Sequence, residues 1–209
     1  MATLKDISSH LRNSTNNKRI LVAIAGPPGV GKSTFAETLS GLLNTENNGC
    51  CAVLPMDGFH FDDIYLNKMG WRARKGAPHT FDVGGMGHML KRLSDNNEKQ
   101  IAIPVFDRDI EIARAAAAVI PSSVNIILVE GNYLLLNETP WLDLGQYFDT
   151  TILLKSSYET IRQRLINRWQ HFNYSTAKIE EKLEINDLPN VKLVLGSSIQ
   201  ADLEFSTNG

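Results

Sequence analysis

Apolar residues in this chain gather in short unbroken runs separated by stretches of helical spacing, and that alternation predicts the architecture. Ile20–Ala25 is a continuous apolar run ending at Gly26-Pro27, as expected of a strand buried on both faces. Past Lys32, the residues Phe35, Leu39, Leu42 and Leu43 recur at helical spacing, so the strand passes through a loop directly into a helix. Ala52–Met56 is a second short strand, followed by a polar stretch from Asp57 to Val83 that reads as a long irregular segment. A short amphipathic helix is expected near Met86–Leu93 and a strand at Ile101–Val105. The alanine-rich segment Ile112–Val119 has no assigned element. Asn125–Val129 and Thr150–Leu154 are short and β-branched, hence strands, and a helix follows from about Tyr158 to Trp169. Val191–Leu195 and Ala201–Phe205 read as two closing strands. Strands alternating with helices imply an α/β fold, a mainly parallel sheet with helices on both faces in three α/β/α layers.

Gly26-Pro27-Pro28-Gly29-Val30-Gly31-Lys32-Ser33 fits G-x-x-x-x-G-K-[ST] in full and lies between a predicted strand and a predicted helix, the setting of a nucleotide P-loop. Its glycines let backbone N–H groups turn toward a phosphate. Lys32 reaches the terminal phosphates, the Ser33 hydroxyl can ligate Mg²⁺, and Thr34 opens the helix whose amino terminus favours negative charge. ATP and Mg²⁺ are the cofactors this loop implies. Ligands of an open parallel sheet bind beyond the carboxyl ends of its strands. Asp57, Asp107 and Glu130 each follow an apolar run, so three acids are expected on the P-loop edge, one to accept the proton of an attacking alcohol and another to hold the metal; Asp107 and Glu130 are candidate acceptor contacts, and Glu130 is equally a candidate metal ligand with Ser33. Each taken alone is equally a helix cap or a turn residue.

Composition narrows the partners. The 209 residues, 43% of them hydrophobic, suit one domain over 1–209, and 21 basic against 23 acidic residues give a net charge of -2. No general pull toward nucleic acid or an anionic membrane follows from that balance. The two cysteines, Cys50 and Cys51, are adjacent, which suits a reducing compartment better than a disulfide framework. Residues 1–19 lack an apolar core of signal-peptide length, and no run approaches the roughly 18 residues of a membrane span. A cytoplasmic protein is expected; its oligomeric state, a homodimer included, stays open.

Taken with the P-loop, MDGFHFDD, RKGAPHTFD, IPVFDRD, ILVEGNYLLL, RLINRW and NDLPN resemble the uridine kinase, phosphoribulokinase and type I pantothenate kinase superfamily over about Arg19–Asp202. Within it the chain most resembles small bacterial nucleoside/nucleotide kinase or fructose transport system kinase-like proteins. The resemblance implies a P-loop NTPase fold with a helical lid near 162–178, and transfer of the γ-phosphoryl group of ATP to a small-molecule hydroxyl, that of a sugar such as fructose, of pantothenate or of a nucleoside. It also implies that Asp57 is the general base, that Glu130 takes the Walker B position, that Arg164 and Arg168 are catalytic lid residues, and that Asn186–Asn190 lie near the adenine, with Asn190 a nucleotide contact. Spacing agrees in part, because Arg164 and Arg168 are four apart on one helical face. Arg74 and Lys75 in the loop Arg72–Asp82 either clamp acceptor or phosphate, or belong to an exposed turn. His60 either orients the acceptor or the aspartate, or is bonded locally. Phe59, Phe61, Trp71 and Phe81 either wall the acceptor pocket or fill the core. Two departures stand out: Ser197-Ser198-Ile199-Gln200 where the related kinases carry an arginine, and Asn173 where glycine is usual. A guanine-specific switch is disfavoured because Asn67-Lys68-Met69-Gly70 lacks the acid of N-K-x-D. A mechanical ATPase is disfavoured because NIILVEG has no Asp-Glu pair.

Overall fold

The computed structural model of this chain describes residues 3–15 and 18–207; positions 1–2, 16–17 and 208–209 of the expected 1–209 span lie outside them. The elements in chain order are α1 (Leu4–Ser14), β1 (Ile20–Ala25), α2 (Lys32–Glu46), β2 (Cys51–Pro55), α3 (Asp63–Met69), α4 (Val83–Asp95), β3 (Gln100–Asp107), β4 (Ile112–Pro121), β5 (Ile126–Gly131), β6 (Thr150–Lys155), α5 (Tyr158–His171), α6 (Thr176–Lys182), α7 (Leu188–Ser197) and β7 (Leu203–Ser206). Five strands form one parallel sheet in the order β2-β5-β1-β6-β7. The two faces of β1 explain the three layers. Leu21, Ala23 and Ala25 join a core with Met86 and Leu90 of α4 and with Tyr133. Ile20, Val22 and Ile24 join another with Ile7 and Leu11 of α1 and Phe35, Leu39 and Leu43 of α2. A third, smaller cluster of Ile161, Leu165, Ile179, Leu183 and Val191 binds α5, α6 and α7 into one helical unit. The helical lid expected at 162–178 thus belongs to a longer assembly, closed by a π-helical turn at Leu183–Asp187.

Three expectations are corrected, and one helix is added. The predicted strand at Val191–Leu195 is part of α7, because Val191 and Val194 are buried on one helical face and Pro189 stands in the first turn, where its missing N–H costs nothing. A five-residue apolar run does not by itself separate strand from helix. The run at Ile101–Val105 is a strand, but it pairs only with β4, the alanine-rich segment, as an antiparallel hairpin outside the main sheet. The stretch 57–83 is ordered by 3₁₀ turns at Met56–Phe59, Arg72–Arg74 and Pro78–Thr80 and by α3, whose amino end is capped by Asp62. Finally, Thr3 and Asp6 form a capping box that starts α1, a helix without a predicted counterpart.

The hairpin is seated on the 3₁₀ turn after β2. A Cβ at Gly58 would lie 2.5 Å from the Pro104 carbonyl oxygen, so only glycine permits this approach. Gly58→Ala is expected to destabilise the fold by about 1–3 kcal/mol through overpacking. An unchanged urea midpoint would show that the hairpin yields freely.

Candidate active site

The glycine-rich loop forms where β1 stops. Gly26 and Pro27 are buried, Pro28 and Gly29 half-buried, Val30 is buried, and Ser33 and Thr34 open α2 in solvent. Gly29 has φ 80°, and a Cβ there would meet Leu165 Cγ at 2.9 Å, so the loop passes tightly against α5. Gly31, at φ 98°, is the N-cap of α2. Lys32 is buried and donates from Nζ to the carbonyls of Gly26 (2.9 Å) and Pro27 (3.1 Å) and to Asn132 Oδ1. Burial lowers its pKa to about 8 against the opposing pull of Glu130 and Asp57.

Parallel pairing sets the acids beside this loop. In register, Ile24 lies opposite Glu130, and Glu130 opposite Pro55, which places Asp57 two residues beyond the same edge. Glu130 accepts from Ser33 Oγ at 3.2 Å. Burial chiefly, and Asp57 also, raise its pKa, with Lys32 opposing. For Asp57 burial works in the same direction, but His60, Arg108, Lys32 and Arg168 outweigh it and hold the carboxyl below its ordinary range. Arg108 NH2 donates to Asp57 Oδ2 at 2.6 Å.

Asp107 stands apart from this pair. It ends β3, in the separate hairpin, and is engaged by Arg114 Nε (2.7 Å) and the Asp109 N–H. Of the three acids expected at the edge of the main sheet, Asp57 and Glu130 are set there by β2 and β5, whereas Asp107 is carried by the separate hairpin. His60 Nδ1 lies 2.8 Å from the Asp57 carbonyl oxygen, not its carboxylate, and the ring packs on Phe81 and Phe106; burial lowers its pKa. Phe59 and Phe81 are core residues, whereas Phe61 and Trp71 flank Tyr65.

The arginines of α5 divide their tasks. Arg162 makes two bonds to Glu180 of α6. Arg164 donates to the Val30 carbonyl and to Thr207 Oγ1 and O, so its guanidinium ties the P-loop to the chain after β7 instead of facing the acids. Arg168 lies over the Trp169 ring and is electrostatically coupled to Asp57 and Lys32. The NDLPN segment is engaged with the Arg72–Gly76 loop and with α5. Asn186 Nδ2 donates to the Lys75 carbonyl, and Asn190 accepts from Arg74 NH2 at 3.3 Å and approaches the Gly76 carbonyl. Asn190 thus supports the Arg72–Gly76 loop. Trp169 Nε1 donates to Asp187 Oδ2 at 2.6 Å. Lys75 bridges Asp63 Oδ1 and the Glu111 carbonyl. Sequence reasoning missed Arg108, Asn132, Tyr133 and Thr207. Asn132 and Tyr133 directly follow Glu130-Gly131 and were legible as strand-end residues, and Arg108 lies within the quoted IPVFDRD motif; Thr207 had no signal beyond its hydroxyl.

The donor set also fits a divalent cation. Ser33 Oγ and Glu130 Oε1 are already adjacent, and no cluster of three or more His, Cys, Asp or Glu side chains able to hold a metal occurs among the described residues. Two protein ligands suit a hard cation that completes its shell with phosphate oxygens and water. No helix among the described residues is long and apolar enough to cross a membrane.

A lysine-bearing glycine loop at the carboxyl edge of a parallel sheet, with two acids beside it, is the phosphate-binding edge of a P-loop NTPase. The Phosphoribulokinase / Uridine kinase family model matches residues 21–205, and the chain belongs to that family. YggC of Escherichia coli (strain K12), an uncharacterized protein, is 32% identical over 92% of this chain and 80% of its own length. A pantothenate kinase of Limosilactobacillus reuteri subsp. reuteri (strain JCM 1112) is 26% identical over 94% of this chain and 71% of its own. The crystal structure named "putative fructose transport system kinase from Silicibacter sp. TM1040" superposes with a TM-score of 0.90 at 32% identity, over 98% of this chain and 100% of that one. The chain is accordingly an ATP-dependent phosphotransferase that takes a hydroxyl of a small molecule as acceptor.

Proposed function

We propose that this kinase transfers the γ-phosphoryl group of Mg-ATP in line to its acceptor, with Asp57 as general base and a sugar as the first candidate acceptor. The observation that carries the reading is the placement of Asp57 beside Lys32 and Glu130 at the carboxyl edge of β1, β2 and β5. Asp57 takes the acceptor hydroxyl proton as the acceptor oxygen bonds to the γ-phosphorus. The β–γ bridging P–O bond breaks, and ADP leaves with that bond's electron pair. Lys32 gives up its contacts to the Gly26 and Pro27 carbonyls for phosphate oxygens. Arg168 faces the charge that develops during transfer. A divalent cation held by Ser33 and Glu130 supplies further charge neutralisation on the β- and γ-phosphates. The preference for a sugar draws on the similarity to the Silicibacter protein.

A thermal-shift screen of sugars, nucleosides and pantothenate with a non-hydrolysable ATP analogue, followed by ADP-release assays on the hits, tests this reading. Acceptor-stimulated ADP release is expected. Hydrolysis of ATP at the same rate with and without every acceptor would replace the kinase assignment with that of a hydrolase.

A further inference from the structure

Two adjacent residues leave the end of β5 and meet different loops. Gly131 fixes their starting point: a Cβ there would lie 2.6 Å from Met56 Cβ, so β5 is pressed against the 3₁₀ turn after β2. Asn132, half-buried, accepts at Oδ1 from the Lys32 ammonium. Tyr133 is fully buried, its ring packs on Phe81 and Trp141, and its hydroxyl donates to the Gly76 carbonyl at 2.6 Å.

The two side chains also meet each other. A lysine ammonium has donors only, so Asn132 must turn its oxygen to Lys32 and keeps its NH₂ for the other side. That side is the Tyr133 hydroxyl: burial raises the phenol's pKa, and a hydrogen bond from Asn132 is among the influences that oppose the rise. The phenol's own proton points to Gly76. Ammonium, amide, phenol and carbonyl thus form one directed chain, each donating to the next, from the P-loop to the loop after α3. Such a chain is polarised from its charged end. Its far end bears on Arg72–Gly76, whose other ties run elsewhere: Asn186 holds the Lys75 carbonyl, the Gly76 N–H donates to Thr80 Oγ1, and Asn190 Nδ2 stands 3.5 Å from the Gly76 carbonyl. The Tyr133 bond is the one that fastens this loop to the end of a main-sheet strand, the same strand end that engages Lys32.

We propose that Asn132 and Tyr133 are positioning residues, which through the chain Lys32–Asn132–Tyr133–Gly76 hold the phosphate-binding lysine and the Arg72–Gly76 loop in one fixed relation. Their part in the reaction is preorganisation: an acceptor meets a loop already in place relative to the P-loop and does not have to order it. The inference rests on the kinase reading in its kinetic arm alone, and the chain itself is tested without any acceptor.

Amide hydrogen exchange over residues 72–80 reads the loop directly. Tyr133→Phe keeps the ring in the core and leaves Asn190 beside the Gly76 carbonyl, so the fold has no cause to fail. It is expected to speed exchange in this segment about fivefold, as for the loss of one net hydrogen bond. Asn132→Leu is expected to match it to within about twofold, and adding Asn132→Leu to Tyr133→Phe is expected to change nothing further, because both cut one chain. Lys32→Met alters no atom of the loop or of Tyr133, yet it is expected to speed the same exchange by about twofold or more through loss of the charged end. A tyrosine with a purely structural role gives another pattern: parental exchange in Asn132→Leu and Lys32→Met, or factors that multiply in the double variant. Either result would overturn the inference. The kinetic arm supplies fructose, uridine and pantothenate in turn with ATP. For any of them that the parent phosphorylates, Tyr133→Phe is expected to raise the acceptor KM about fivefold while kcat and the KM for ATP stay within about twofold, whereas a variant that is only less folded lowers kcat at constant KM. An unchanged acceptor KM would remove the positioning role. ADP release indifferent to all three compounds would count against the kinase reading, and the exchange rates would still decide the chain.

Discussion

Asp57→Asn is expected to lower kcat by about 10²- to 10⁴-fold, the range of a positioned general base, while ATP binding stays near the parental value. The substitution is nearly isosteric and keeps an oxygen for the Arg108 guanidinium, so the 3₁₀ turn Met56–Phe59 and the hairpin that rests on it have no cause to move. What is lost is the ability to hold a proton at that oxygen. Single-turnover transfer and binding of a fluorescent ATP analogue, measured on the same preparation, separate the two effects. The pH profile of the parent adds a second check. Net attraction by the surrounding cations places the Asp57 pKa below the usual 3.8, so the proposed base is ionised at every pH above that value. The parent is therefore expected to show no acid limb from this group between pH 5 and 8 (~1 unit or more above its pKa). A parental limb in that interval, or a kcat for Asp57→Asn within about tenfold of the parent, would transfer the role of base to another group.

The parts of this molecule that were legible in sequence are those dictated by local chemistry. Ile20–Ala25 has no polar residue to expose, so burial on both faces and a central sheet position follow. The spacing of Gly26, Gly31, Lys32 and Ser33 between an apolar run and a helical pattern likewise predicts a phosphate cradle. Non-local choices were not legible. Ile101–Val105 has the composition of a sheet strand, yet its partner is the alanine-rich β4, and the choice between that partner and the main sheet depends on long-range pairing. Asp107 was misplaced for the same reason. Arg164 and Arg168 share a helical face, as their spacing requires, but long flexible side chains diverge beyond Cβ: one guanidinium ends on Val30 and Thr207, the other over Trp169 beside the acids. The NDLPN segment carries polar residues that look free in sequence. Folding commits Asn186, Asp187 and Asn190 to Lys75, Trp169 and Arg74, ties from the π-helical turn and α7 to the Arg72–Gly76 loop and α5 that no spacing rule would reveal.

Lys32→Met is expected to damage both ATP binding and transfer, with kcat falling by about 10²- to 10³-fold or more, as when a preorganised donor to developing charge is removed. The lysine is buried, and its ammonium holds two P-loop carbonyls and Asn132 in the absence of phosphate. Its charge is thus stored where the terminal phosphates arrive, at the cost of a pKa brought down to about 8 by burial. That value makes a sharper prediction than the loss of activity. Because kcat/KM for ATP reports the free enzyme, it is expected to decline on the alkaline side with a midpoint near 8, where Lys32 loses its proton. The limb in kcat should lie higher, since bound phosphates favour the charged form. Unfolding cannot imitate this decline through the same group. A folded pKa of about 8 against an unfolded value of 10.5 means that the unfolded chain holds the extra proton between them, so Lys32's own contribution to stability rises with pH across that window. The residual activity of Lys32→Met should lack the limb altogether. A parental kcat/KM that stays flat through pH 9 would show that the lysine keeps its proton and that its desolvation is relieved by a partner other than the P-loop carbonyls, Asn132 and the two acids.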